Sequence, residues 1–262
     1  MVCGAGCVFV LTPDESAGNA VDLIEFIEKT NGAENAEQLF SLLENVMAHY
    51  GFDRVLFSLM TDHPALGREA GHGIMRNYPR DWMEYYAEHV YEDIDPVRHY
   101  VVTAPGPFTW SFLEGEMQLS PVQKKCMNEA KEAGLHQGIA VPLRGPLGAV
   151  AGIGAACSGK EREISRDTMA LVNAACQQFY AAYTALEQRE GISGEEQIVL
   201  TEREKEILKW CAQGKTTWEI GVILSLSEAG VLFHLRNVMR KFNTSSRVYA
   251  VMQAVRLGLI QL

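Results

Sequence analysis

Between residues 78 and 110 the chain gathers aromatic side chains with polar handles around one carboxylate. Tyr78-Pro-x-x-Trp82-x-x-x-Tyr86 is followed by Asp95-Pro96 and then by Trp110. Trp82 and Tyr86 stand four apart, so on a helix the indole N–H and the phenol O–H share one face. Such groups suit a greasy pocket that must orient a polar headgroup. Asp95 is the acceptor of the set. A ligand with an amide and a second carbonyl needs one acceptor for its N–H and two donors for its oxygens, and Asp95, Tyr78 and Trp82 supply that count. A competing reading is that Asp95 caps a helix starting at Pro96 while the aromatics fill an ordinary core. No basic cluster or glycine-rich phosphate loop accompanies the set, which argues against a nucleotide. His49, His89, His99 and His136 show no ligand or catalytic spacing. No nucleophile–base pair or metal constellation emerges, so the chain does not read as an enzyme, and no cofactor is expected. Of the six cysteines only Cys3 and Cys7 are spaced like half a metal site, and no second pair completes it.

The elements that must position these residues follow from periodicity and punctuation. After an irregular extension over 1–17, amphipathic helices are expected over about 19–30 and 34–50, the second ending at Gly51. Residues 54–60 read as a strand, and a weaker one lies near 69–76. Pro79 opens a helix, and Ser120-Pro121 opens another that runs to Ala133-Gly134. Apolar runs over 138–143 and 148–157 flank Arg144-Gly145-Pro146-Leu147 and read as a hairpin. A long helix from about Ser165 to Glu187 closes the unit. The expected fold of residues 18–187 is an α/β (α+β) sandwich with a central antiparallel sheet flanked by helices. The stretch 188–197, with two glycines and no apolar periodicity, reads as a linker.

Residues 198–262 differ in charge as well as in pattern. From Gln197 onward nine Lys/Arg face five Asp/Glu, a net of +4, whereas residues 1–196 hold 14 against 28, a net of −14. Phosphate backbones attract the first part and repel the second. Thr201-Glu-Arg-Glu204 is a capping box that starts a helix with Ile207, Leu208 and Cys211 on its inner stripe. Thr217 is expected to cap a short helix with Ile220, Ile223 and Leu224 inward. Ser225-Leu226-Ser227 makes a turn, and Ser227 caps a third helix. On that helix Val231, Leu235, Val238 and Phe242 form one stripe, so Ala229, Leu232, Phe233, Arg236 and Arg240 point outward. A short helix, a tight turn and a second helix with outward basic residues fit the major groove of double-stranded DNA. A fourth helix spans Arg247 to Gly258 and carries more stripe than docking needs, which suits pairing with a second subunit.

LTEREKEILKWCAQGKTTWEIGVILSLSEAGVLFHLRNVMRKFNTSSRVYAV resembles the C-terminal helix-turn-helix of LuxR-type regulators, with Glu204, Leu208 and Gly214 at the family's characteristic positions. The resemblance implies that Leu232, Phe233, Arg236 and Arg240 face DNA and that Thr217 and Lys241 touch phosphate. Trp82, Tyr86, Asp95, Pro96, Trp110 and Gly138 fall at the spacings of the family's autoinducer-binding domain. There the implied ligand is an N-acyl homoserine lactone: Trp82 donates to the lactone carbonyl, Asp95 accepts the amide N–H and Tyr78 donates to the acyl carbonyl. Trp110 packs on the lactone ring, and Tyr86, Met83, Val97, Leu135, Ala140 and Gly154 line the cavity. Gly154 replaces a common Ser or Thr, and Met83 falls where some long-chain sensors have Arg. Both departures point to a longer or unsubstituted acyl chain. Gly230 and Leu232 replace polar groups on the reading helix.

The implied protein is a ligand-responsive, homodimeric quorum-sensing transcription factor on an inverted-repeat operator. Two rivals are a relative that sequesters a partner regulator and a phosphorylation-controlled response regulator. The second is disfavoured because the 54–60 strand ends in Met60-Thr61-Asp62 without a receiver's acidic cluster. No apolar stretch approaches the roughly 18–20 residues of a membrane span, and the apolar start of the chain lacks a signal peptide's basic residues. A cytoplasmic location is expected.

Overall fold

A computed structural model describes residues 22–159, 163–191 and 198–261. The extension over 1–17, with Cys3 and Cys7, lies outside the described residues, as do positions 192–197 of the linker.

The first domain is built on five antiparallel strands in the order β2-β1-β5-β4-β3. They are β1 (Arg54–Leu59), β2 (Gly71–Arg76), β3 (Phe108–Thr109), β4 (Gln137–Arg144) and β5 (Val150–Cys157). Side chains alternate across a strand. In β4 the large residues Ile139, Val141 and Leu143 therefore face one way, into a core with α1 (Leu23–Asn31), α2 (Ala36–His49) and α7 (Arg166–Gly191). Gly138 and Ala140 face the other way, and Gly152 and Gly154 of β5 join them beneath a second helical layer. That layer comprises α3 (Arg80–Glu88), α4 (Pro96–Thr103), α5 (Trp110–Glu116) and α6 (Pro121–Glu132). One face of the sheet is thus filled to the backbone, and the other has a floor of small residues with space above it.

Caps fix where these helices begin. Asp22 accepts from the amides of Ile24 and Glu25, Asn35 from Gln38, and Ser120 forms a capping box with Gln123. At the other end of α4 the Arg144 guanidinium donates to the carbonyls of Val101, Val102 and Ala104. The short elements β3 and α5 were not expected from periodicity. α7 also continues to Gly191, so the linker begins later than position 188.

The second domain contains α8 (Glu202–Ala212), α9 (Thr217–Leu224), α10 (Glu228–Lys241) and α11 (Arg247–Arg256) around Ile207, Leu208, Ile220, Val231, Leu235 and Val238. The expected capping box at Thr201 and Glu204 is present. Two local expectations are corrected. Thr216, not Thr217, caps α9, pairing reciprocally with Glu219. Ile223 is exposed, and Gly221 takes the inner position, because the Leu226 carbonyl passes 2.8 Å from where a Cβ at Gly221 would lie.

Candidate ligand chamber and nucleic-acid interface

Between the small-residue floor and α3–α6 lies a chamber of ≈ 620 Å³, counting its open mouth. Of the candidate residues, Tyr78, Trp82, Tyr86, Asp95, Val97, Trp110, Leu135, Ala140 and Gly154 line it. Met83 does not. It is buried in the helical layer, with its methyl group against Gly73.

Asp95 caps α4 and also lines the chamber. Its Oδ1 caps α4, accepting from the amides of Val97 at 2.8 Å and Arg98 at 3.4 Å. Its Oδ2 accepts the Tyr86 hydroxyl at 2.9 Å and keeps lone-pair capacity for a further donor. Burial pushes the Asp95 carboxyl above its ordinary range, against the opposing pull of those three hydrogen bonds and of the Arg98 guanidinium. Tyr86 packs edge-on to Trp82 with ring centroids 5.9 Å apart.

The donors around Asp95 are unspent. Among the described residues the Tyr78 hydroxyl and the Trp82 indole N–H have no hydrogen-bond partner, and the buried Trp110 Nε1 likewise has none. An unmade hydrogen bond at a buried donor costs about 1–3 kcal/mol. One acceptor among three open donors is the complement of a small molecule with an amide and further oxygens. Burial drives the Tyr78 hydroxyl far above its ordinary value, so it acts as a donor.

Gly138 and Gly154 fit this chamber for different reasons. The Trp110 indole lies flat on Gly138, and a Cβ there would fall 2.3 Å from Trp110 Cε2. At Gly154 a Cβ would meet the Tyr78 hydroxyl at 3.2 Å. The tyrosine oxygen therefore fills the space that a missing side chain at 154 was expected to leave for a longer tail. Other lining residues had no sequence signal of their own: Leu56, Met60, His72, Arg98, Cys126 and Gly152.

In the second domain the axes of α9 and α10 turn through 108° across residues 225–227. The outward row of α10 is as expected: Ala229, Leu232, Phe233, Arg236 and Arg240 are exposed, Leu232 by 37 % and Phe233 by 60 %. Thr217 and Lys241 are differently employed. The Thr217 hydroxyl donates to Glu228 at 2.7 Å. The Lys241 ammonium donates to the buried Glu204 carboxylate at 2.6 Å and to the Val199 carbonyl at 2.8 Å. Lys241 is thus a brace between α10 and the start of α8.

Two family models match the chain, the autoinducer binding domain over residues 35–183 and the bacterial regulatory proteins of the luxR family over residues 198–254. The chain belongs to the LuxR family. Among its relatives, the HTH-type quorum sensing-dependent transcriptional regulator RpaR of Rhodopseudomonas palustris is 34% identical over 242 residues, 91% of this chain and 95% of RpaR. The transcriptional activator LuxR of Aliivibrio fischeri is 27% identical over 243 residues, covering 90% of this chain and 93% of its own. The crystal structure of Escherichia coli SdiA superposes with a TM-score of 0.69 at 25% identity, over 92% of this chain and all of SdiA. These relatives are transcriptional regulators, and this LuxR-family chain is a quorum-sensing regulator with an autoinducer-binding domain and a DNA-binding helix-turn-helix.

Proposed function

We propose that the chamber binds an N-acyl homoserine lactone and that the ligand-bound chain acts in the cytoplasm as a homodimer on an inverted-repeat operator. The observation that supports the ligand is the polar set: one carboxylate oxygen with spare capacity and the open donors of Tyr78, Trp82 and Trp110, all lining one otherwise largely apolar chamber. Asp95 takes the amide N–H, Trp82 gives its indole N–H to the lactone carbonyl and Tyr78 gives its hydroxyl to the acyl carbonyl. Trp110 covers the lactone ring. Calorimetry of the full chain with Asp95→Asn tests these roles. The amide keeps an oxygen for the α4 cap but turns an N–H toward the ligand's own N–H, so affinity falls by at least about tenfold. Equal affinity for wild type and variant contradicts the assignment.

On DNA, α10 enters the major groove with Arg236 and Arg240 toward the duplex and Leu232 and Phe233 against thymine methyls. Two such helices in a dimer stand about one DNA turn, roughly 34 Å, apart. The exposed apolar pair and Gly230 favour a second reading, in which base-specific affinity is low and the chain acts by sequestering a partner regulator. Gel-shift titration of the purified, lactone-loaded protein on inverted-repeat operators separates the two.

A further inference from the structure

Two polar groups in the chamber are not used by the lactone head. His72 lies on β2 with its ring stacked on Tyr86 at a centroid distance of 4.5 Å and 11° between planes. Its Nδ1 stands 3.3 Å from the Ser58 hydroxyl and 3.4 Å from Arg98 Nη1. A guanidinium has no acceptor, so Nδ1 receives its hydrogen bonds and the ring proton is assigned to Nε2. Burial first, then the nearby Arg98 and Arg76, push His72 down to about 4, so the ring is neutral near pH 7.

Arg98 is the more unusual group. The other acceptor of its Nη1 is the Met60 thioether at 3.3 Å, and among the described residues its guanidinium acts on the Asp95 carboxyl electrostatically without forming an ion pair. A thioether and an imidazole are weak acceptors for a charged donor beside an apolar space. The wall of this part of the chamber therefore offers N–H groups in search of an oxygen.

Position along β5 separates the Tyr78 end of the chamber from the Met60 end. The Tyr78 hydroxyl sits over Gly154, whereas the Met60 methyl, whose sulfur holds Arg98, sits over Gly152 at 2.8 Å from a Cβ position there. Two strand residues span roughly 7 Å. Val101 closes on the same Gly152 position, also at 2.8 Å, so the chamber narrows there. Charge sets the nature of the oxygen. Asp95 and Arg98 are the two charged residues of the lining, one of each sign, and a carboxylate on the ligand would unbalance them.

We infer that Arg98 and His72 form a polar subsite for a neutral oxygen on the acyl group, so that the preferred lactone has a compact, distally oxygenated acyl group in place of a plain alkyl tail. This rests on the lactone reading above and replaces the unsubstituted chain expected from Gly154 and Met83. On this inference an oxygen at the 3-position, next to the amide carbonyl held by Tyr78 over Gly154, is not the one that Arg98 takes. A hydroxyl at the end of a six-carbon chain reaches it.

Calorimetry of the full chain with N-hexanoyl, N-(3-oxohexanoyl) and N-(6-hydroxyhexanoyl) homoserine lactone tests the inference in wild type, Arg98→Met and His72→Phe. Wild type is expected to prefer the 6-hydroxy ligand over the plain one by about tenfold, the scale of a hydrogen bond to a charged group. Arg98→Met brings that ratio to about one, and His72→Phe, which keeps the stack on Tyr86, lowers it. The 3-oxo ligand shows no Arg98-dependent gain. A wild-type ratio of one or less, or a preference that survives Arg98→Met in a variant with an unaltered circular dichroism spectrum, overturns the subsite and leaves the lactone reading standing. Absence of saturable binding by all three lactones overturns both.

Discussion

Gly138 carries the Trp110 indole directly on its backbone, and this contact sets how deep Trp110 sits in the chamber wall. Gly138→Ala forces the ring or the strand to move. Overpacking of this kind costs about 1–3 kcal/mol, and the expected result is a lower melting temperature together with weaker lactone binding, measured on the same preparation. His72 gives the residue scale a pH signature. Its folded value of about 4 lies below the ordinary 6.5 of an unfolded histidine. The unfolded chain therefore binds the extra proton first as pH falls. The stabilising contribution is complete above pH 6.5 and is lost progressively toward pH 4, by up to about 3 kcal/mol. Denaturant titrations at pH 7 and pH 4.5 should show that loss, and His72→Phe should show a smaller one. Asp95 has the opposite direction. Burial favours its protonated form, whereas an N–H donated by the proposed lactone favours the carboxylate, so binding should release protons in the acid range, which calorimetry in buffers of differing ionisation enthalpy detects.

At the scale of elements, long periodic segments were legible and short ones were not. The stripes of α2, α8 and α10 are buried as their spacing requires, with Leu39, Leu43, Ile207, Leu208, Val231 and Val238 all inaccessible. β3 and α5 have two and seven residues, too few for a period to register, and it is their packing on β4 that brings Trp110 over Gly138. The chamber itself was partly legible in β4, where large and small residues alternate, because the small side had to face a space. His72 and Arg98 were hidden for a different reason. A lone histidine on a weak strand and an arginine in the first turn of a helix both read as solvated until α4 packs on β4 and β5 and brings Arg98 to His72 and Met60. In the second domain the turn after α9 depends on Gly221. Gly221→Ala meets the Leu226 carbonyl at 2.8 Å, so it should open the angle between α9 and α10. DNA affinity should then fall far more than lactone affinity, as a gel shift and a calorimetric titration on one variant would show. Equal loss of both would place Gly221 in the stability of the whole chain.

At the scale of the whole molecule, charge separates an acidic sensing domain from a basic reading domain, each with its own core. One contact between their side chains is an exposed ion pair from Arg256 on α11 to Asp62 at 3.0 Å, and α11 also approaches residues 146–148. Exposed pairs hold domains together weakly. DNA affinity should accordingly fall linearly in log–log terms with added salt, and Arg236→Ala or Arg240→Ala should weaken binding while reducing that slope if the contact is to phosphate. A ligand enclosed between sheet and helices becomes part of the core, and one present at about 1,000 times its dissociation constant stabilises the fold by about 4 kcal/mol. Fold, ligand and DNA binding should therefore appear together. The most direct measurement is mass spectrometry of the small molecules released from the full chain after expression in its own host. An N-acyl homoserine lactone, approaching one molecule per chain, is the predicted result. Release of a different class of compound at that stoichiometry, from protein that binds DNA, would contradict it.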